Sequence, residues 1–208
     1  MSGPRVAVFI DYQNCYRRAR EHFCSPDAPP SHGQFWPVTL AKLLAVAGRR
    51  EYTIVFVGVY SGTADPRKDP RTAGARQRQM EAWRYNGAEV FTRPLRYPSG
   101  WPTQPAVEKG IDVKLAIDFV TKAVAREYDV GIVASCDMDL APAIEAVLDL
   151  DGQGVPTVEL VAWAGRASRI GIPGRTLTYR EVGPMDYRAM YDPTDYNEAG
   201  RPSRNAPR

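Results

Sequence analysis

Arg5-Val6-Ala7-Val8-Phe9-Ile10-Asp11-Tyr12-Gln13-Asn14 is the stretch that decides the fold class. Val6 to Ile10 is unbroken by any polar residue and runs straight into an acid. A strand covered on both faces reads as such a run, whereas a strand with one wet face alternates. Three more segments read as buried strands: Tyr52–Tyr60, Asp129–Ala134 and Val155–Val161, with a shorter candidate at Glu89–Thr92. Helical patterns lie between them. Thr39–Ala47 sets Leu40, Leu43, Leu44 and Ala47 on one stripe, and Thr72–Tyr85 is an Arg-rich helix. Ile111–Val124 repeats Val113, Ile117, Val120 and Val124 at helical spacing, and Leu140–Leu150 repeats Ile144, Val147 and Leu148. Strands alternating with helices predict βαβ units and an α/β fold around a mainly parallel sheet.

Outward from this frame, two Pro-rich stretches, Cys24–Pro37 and Arg93–Pro105, read as surface insertions beside the sheet. Residues 1–190 form one predicted domain, and 191–208 read as a disordered tail because apolar content almost vanishes there. The chain has 208 residues, 44% hydrophobic, which is enough for a core and excludes wholesale disorder. Its net charge is only +3, too weak to argue for a polyanionic partner by itself. The basic residues are lopsided, with 22 Arg against 5 Lys, and Arg is the residue that grips phosphate in a planar fork.

Three Cys without a CxxC spacing and two His without HExxH exclude a disulfide framework and leave little for a zinc site or a Ser-His-Asp triad. No apolar run approaches the roughly 20 residues that span a bilayer. The expectation is a reduced, cytoplasmic, soluble protein without a membrane partner.

Four acids fall at informative places. Asp11 follows the first strand, and Asp137 and Asp139 follow the Asp129–Ala134 strand. Asp112 opens the helix after the second insertion. Ligands of parallel sheets bind beyond the carboxyl ends of the strands, where strand order reverses. If those two strands are neighbours, Asp11, Asp137 and Asp139 converge, with Asp112 joining from a helix start. Clustered carboxylates repel one another, and a hard divalent cation, Mg²⁺ or Mn²⁺, resolves the conflict. Each acid also has a plainer reading: Asp137 or Asp139 as a helix cap, Asp11 as a loop acid, Asp112 as a complement to a helix dipole. Asp118 lies off the Asp112 face and beside Lys114 and Lys122, so a solvated ion pair is expected there.

These blocks resemble a family. Phe9-Ile10-Asp11-Tyr12-Gln13-Asn14 is similar to the strand–Asp–two residues–Asn opening of NYN-domain proteins. Lys109-Gly110-Ile111-Asp112 looks like that family's K-G-hydrophobic-D helix start, and Ser135-Cys136-Asp137-Met138-Asp139-Leu140 resembles its S-G-D-x-D-F block. The likeness spans roughly Arg5 to Val161. Cys136 stands where Gly is usual, and Leu140 where Phe is common. The resemblance implies a three-layer α/β/α, PIN-like (Rossmann-like) fold. It also implies a metal-dependent ribonuclease, with Asp11, Asp112, Asp137 and Asp139 as ligands of Mg²⁺ or Mn²⁺. Asn14 then orients an acid or contacts substrate. The thiol of Cys136, beside carboxylates, should titrate high and is not expected to be a nucleophile.

An RNA partner must be held around the acids rather than among them. Candidates are Arg17, Arg18 and Arg20 on the first helix, with Arg67, Lys68, Arg71, Arg76 and Arg78 around the start of the Arg-rich helix. Arg93, Arg96 and Lys109 bracket the second insertion, and Ser135 joins the substrate-binding set. Trp101 or Tyr97 could stack on a base, and Trp36 and Trp101 could equally anchor their loops. The leading expectation is an endoribonuclease. The alternative is a non-catalytic RNA-binding or regulatory module of the same fold. A haloacid-dehalogenase-type phosphatase ranks low, because Gln13 stands where that chemistry needs a second Asp. Single-stranded RNA, structured RNA, DNA and a homodimer all remain compatible with the residues.

Overall fold

The structure is a computed structural model that describes residues 3–46, 48, 51–150, 154–163 and 169–197. Among the described residues six strands make one parallel sheet: β1 (Arg5–Asp11), β2 (Thr53–Thr63), β3 (Glu89–Pro94), β4 (Val130–Ala134), β5 (Thr157–Trp163) and β6 (Thr178–Val182). Their order is β3-β2-β1-β4-β5-β6. Among the described residues the α-helices are α1 (Tyr12–Phe23), α2 (Pro37–Val46), α3 (Pro70–Tyr85), α4 (Ile111–Val124) and α5 (Ala141–Leu148) between strands, and α6 (Pro184–Met190) after the last one. The expected α/β fold and its four buried strands are present, with ends that differ by at most three residues. β6 escaped the sequence reading because Thr178-Tyr179-Arg180-Glu181-Val182 sits at a sheet edge and carries two charges.

The pleat of β1 explains the two cores. Val6, Val8 and Ile10 face one side, where α1, α2, α3 and α6 cover them. Ala7 and Phe9 face the other, under α4 and α5. The Phe9 ring stands 5.1 Å from Phe56, 5.2 Å from Phe119 and 5.7 Å from Tyr128, centroid to centroid. Below this cluster Arg5 closes the seam. Its backbone N–H donates to Asp129 Oδ2 at 2.8 Å and its guanidinium to Asp129 Oδ1 at 2.8 Å, fixing the start of β1 against β4.

Three expectations change. The Val113–Ile117–Val120–Val124 stripe of α4 does not face the sheet: Val113, Ile117 and Val124 are 55%, 52% and 62% exposed. The opposite face, Ile111, Leu115, Phe119 and Ala123, is buried instead. Asp118 does pair with Lys114, at 2.5 Å, but only 8% of it is exposed, because Tyr60 Oη also donates to it at 2.8 Å. Lys122 pairs with Glu127. The first residues of the expected disordered tail are packed. Tyr191 bridges Phe35, and Asp192 is buried, accepting from Thr194 N at 3.0 Å and Tyr196 Oη at 2.8 Å. Arg78 donates to the Tyr196 carbonyl at 2.6 Å. The rest of that tail, 198–208, and the expected end of the second helix at Ala47 lie outside the described residues.

Both insertions are tied down. Arg20 donates to the carbonyls of Ala28 and Pro29, at 2.8 and 2.6 Å, and Phe35 and Trp36 are buried, so Trp36 anchors its loop. In the second insertion Arg96 and Val107 exchange backbone hydrogen bonds, and the Tyr97 and Trp101 rings meet edge to face at 4.9 Å.

Candidate active site

β1 and β4 are neighbours, and strand order reverses between them. That is where a parallel sheet opens a crevice at its carboxyl end. Asp11 closes β1 and caps α1, accepting from Asn14 N at 3.1 Å. The Ser135 hydroxyl, just past β4, donates to Asp11 Oδ2 at 3.0 Å and accepts from Asp137 N at 3.1 Å. Asp137 Oδ1 in turn accepts from Asp139 N at 3.0 Å and caps the short 3₁₀ turn Met138–Leu140. The capping reading of Asp137 is thus realised, Asp11 proves to be a cap rather than a plain loop acid, and each cap uses one carboxylate oxygen. Asn14 Oδ1 accepts from Cys136 N at 3.0 Å, so Asn14 ties α1 to the loop after β4.

Ser135 was expected to touch substrate. It is buried, with its hydroxyl engaged by Asp11 and Asp137, so it positions the acids instead.

The electrostatics are those of a site short of positive charge. Burial pushes the Asp11 carboxyl up to about 6. Hydrogen bonds from Asn14 and Ser135 pull it down, while the negative charges of Glu108 and Asp137 push it further up. Among the described residues no Lys or Arg pairs with Asp11. Burial also raises the thiols of Cys15 and Cys136, which makes both poor nucleophiles.

Glu108 was not singled out in the sequence. Its Oε1 accepts from the backbone N–H of Gly62 at 2.5 Å, joining the end of β2 to the approach to α4. A side chain at Gly62 would collide with Glu108 and Leu95, so the glycine permits this contact. Its one sequence signal was its place directly before the Lys109-Gly110-Ile111-Asp112 block. Gly110 itself has φ 77°, a left-handed conformation that glycine adopts without strain, and it turns the chain into α4.

The four acids expected in one cluster stand as two pairs. Asp11 and Asp137 share Ser135, while Asp112 and Asp139 edge a groove of ≈ 360 Å³ between α4 and α5. Among the described residues no three His, Cys, Asp or Glu side chains stand close enough to hold one metal ion. The donor chemistry still suits a hard cation. All four are carboxylates, and Asp11 is buried beside two further negative groups with no cation bonded to it.

The basic candidates divide. Arg17, Arg93 and Lys109 are exposed at or near the carboxyl end of the sheet. Arg18 touches the Cys136 thiol and pairs with Glu21 at 2.8 Å. Arg67 is exposed but paired with Asp65 at 3.3 Å, and exposed Arg71 feels the charge of Asp195. Arg20 and Arg78 hold backbone carbonyls, and Arg76 bonds Gln79 and covers the Tyr12 ring, so these three are structural. Tyr97 accepts from Asp65 N at 2.9 Å beneath Lys68, which makes it a loop anchor.

The family model described as the NYN domain matches residues 5–162. A crystal structure of a protein of unknown function from Vibrio parahaemolyticus RIMD 2210633 is similar at 22% identity and a TM-score of 0.49, covering 76% of this chain and 81% of that one. Comparison with curated proteins finds no match. The match runs through all three acid-bearing blocks, from Asp11 through Asp112 to Asp137 and Asp139, and the chain belongs to the NYN-domain family.

Proposed function

We propose that this protein is an endoribonuclease that hydrolyses RNA phosphodiester bonds with Mg²⁺ or Mn²⁺ held by Asp11, Asp112, Asp137 and Asp139. The observation that carries the reading is the hydrogen-bonded run from Asp11 through Ser135 to Asp137 and Asp139, lying at the strand-order reversal of a nuclease-like family fold. When bound, the ion supplies an activated water and stabilises charge on the phosphodiester oxygens. The protein's own residues do the rest. Ser135 and Asn14 hold Asp11 and the loop after β4 in place, and Gly110 turns Asp112 into the first turn of α4. Exposed Arg17, Arg93 and Lys109, with Arg18, Arg67 and Arg71 behind them, grip the phosphate backbone flanking the crevice.

The second reading is a non-catalytic RNA-binding module. On its side stands that, among the described residues, no three acids lie close enough together to hold one ion. End-labelled RNA incubated with Mn²⁺ or Mg²⁺ separates the two. Internal cleavage that stops with chelator and falls at least about 100-fold in Asp137→Asn supports the nuclease. RNA binding without cleavage under any divalent ion supports the module. Cleavage that survives Asp137→Asn overturns the assigned site.

A further inference from the structure

α4 is apolar on two faces, and the sheet covers only one. On the other, Val113, Ile117 and Val124 are more than half exposed, and Met138 is 50% exposed just beyond β4. Val113, Ala116, Ile117, Val120 and Ala143 line the groove between α4 and α5. Together the exposed residues make a patch on the order of a few hundred Å², the size that marks an interaction site on a soluble protein.

The spacing identifies the occupant. Val113, Ile117, Val120 and Val124 are separated by four, three and four residues. That is the seam spacing by which two helices interlock. It is also its own mirror. Reversed about the midpoint between Asp118 and Phe119, Val113 falls on Val124, Ile117 on Val120 and Ala116 on Thr121. A two-fold contact requires one patch to fit itself. An antiparallel pair of α4 helices meets that requirement with Val against Val, Ile against Val, and small Ala against Thr where the backbones approach.

A stable contact covers about 800 Å² per partner, so the apolar strip makes its centre and the polar residues of α4 and α5 its rim.

Other occupants fit poorly. Residues 198–208, Glu-Ala-Gly-Arg-Pro-Ser-Arg-Asn-Ala-Pro-Arg, contain no large apolar side chain to fill the groove. An RNA strand needs cationic or aromatic walls, and among the described residues neither type lines this groove. We infer that the α4–α5 groove is the interface of a two-fold homodimer, with the two α4 helices antiparallel.

Sedimentation velocity on the full chain tests this up to about 100 µM, where a contact of micromolar Kd is saturated. The expected result is a dimer that becomes monomeric in Ile117→Glu with its circular-dichroism melting curve retained. Should Ile117→Glu fail to fold, cysteine pairing decides. Val113→Cys mixed with Val124→Cys should give a disulfide-linked dimer under mild oxidation, and neither variant alone should. A wild type that stays monomeric, a dimer that survives Ile117→Glu, or crosslinking of Val113→Cys to itself overturns the inference. A monomer whose RNA binding weakens in Ile117→Glu assigns the face to RNA and equally overturns it.

Discussion

The Ser135 hydroxyl donates to Asp11 Oδ2 at 3.0 Å across the seam between β1 and β4. That one bond joins residues 124 positions apart and fixes an acid that burial alone would leave unsupported. Ser135→Ala should therefore act on the site more than on the fold. Mn²⁺ affinity measured by calorimetry, and RNA cleavage with it, should fall about 10- to 100-fold, as for other residues that orient a metal ligand. The loss of stability in urea should stay near 1 kcal/mol, the net worth of one hydrogen bond.

Glu108 makes the corresponding tie on the other side of the crevice, through the Gly62 N–H. Glu108→Ala leaves that amide without its partner and should cost about 1–3 kcal/mol in urea unfolding. Glu108→Gln keeps an acceptor oxygen and should recover most of the loss. Equal destabilisation by both variants would show that the charge, not the hydrogen bond, holds the loop.

Phe9 is fully buried among Phe56, Phe119 and Tyr128. Phe9→Ala should cost about 3–5 kcal/mol of folding free energy by denaturant titration, from lost burial and the cavity left behind. A cost under about 1 kcal/mol would mean that the α4–α5 core is not packed as described.

The Arg5 guanidinium and backbone N–H hold the Asp129 carboxyl below its ordinary value. A carboxylate lowered in the folded state adds stability above its unfolded pKa, and that stability is lost as pH falls through the lowered folded value. Both side chains are about half exposed, so the gain is small. Asp129→Asn should lower the melting temperature slightly at pH 7, and the gap from wild type should close as pH drops below about 4. A gap that stays constant down to pH 2 would remove Arg5 from the explanation.

The sequence carried the parallel sheet because Val6 to Ile10 and Val130 to Ala134 are apolar on both faces of the strand. It carried the crevice because Asp11 and Asp137 follow those two strands. α4 was read on the wrong face, since periodicity cannot choose between two apolar stripes on one helix. The sheet takes Ile111, Leu115 and Phe119 because Phe119 fills the space beside Phe9. The burial of Asp118 was hidden because its partner Tyr60 is 58 residues away. Glu108 was hidden between a Pro-rich insertion and the Lys109 block, and the packed start of the tail depended on Asp192 meeting Tyr196.

A crystal grown with Mn²⁺ tests the central claim most directly. An anomalous peak within about 2.0–2.4 Å of carboxylate oxygens from Asp11 and at least two of Asp112, Asp137 and Asp139 is the predicted result, with the two acid pairs drawn together around it. Manganese bound elsewhere on a protein that cleaves RNA, with these acids still apart, would contradict the account.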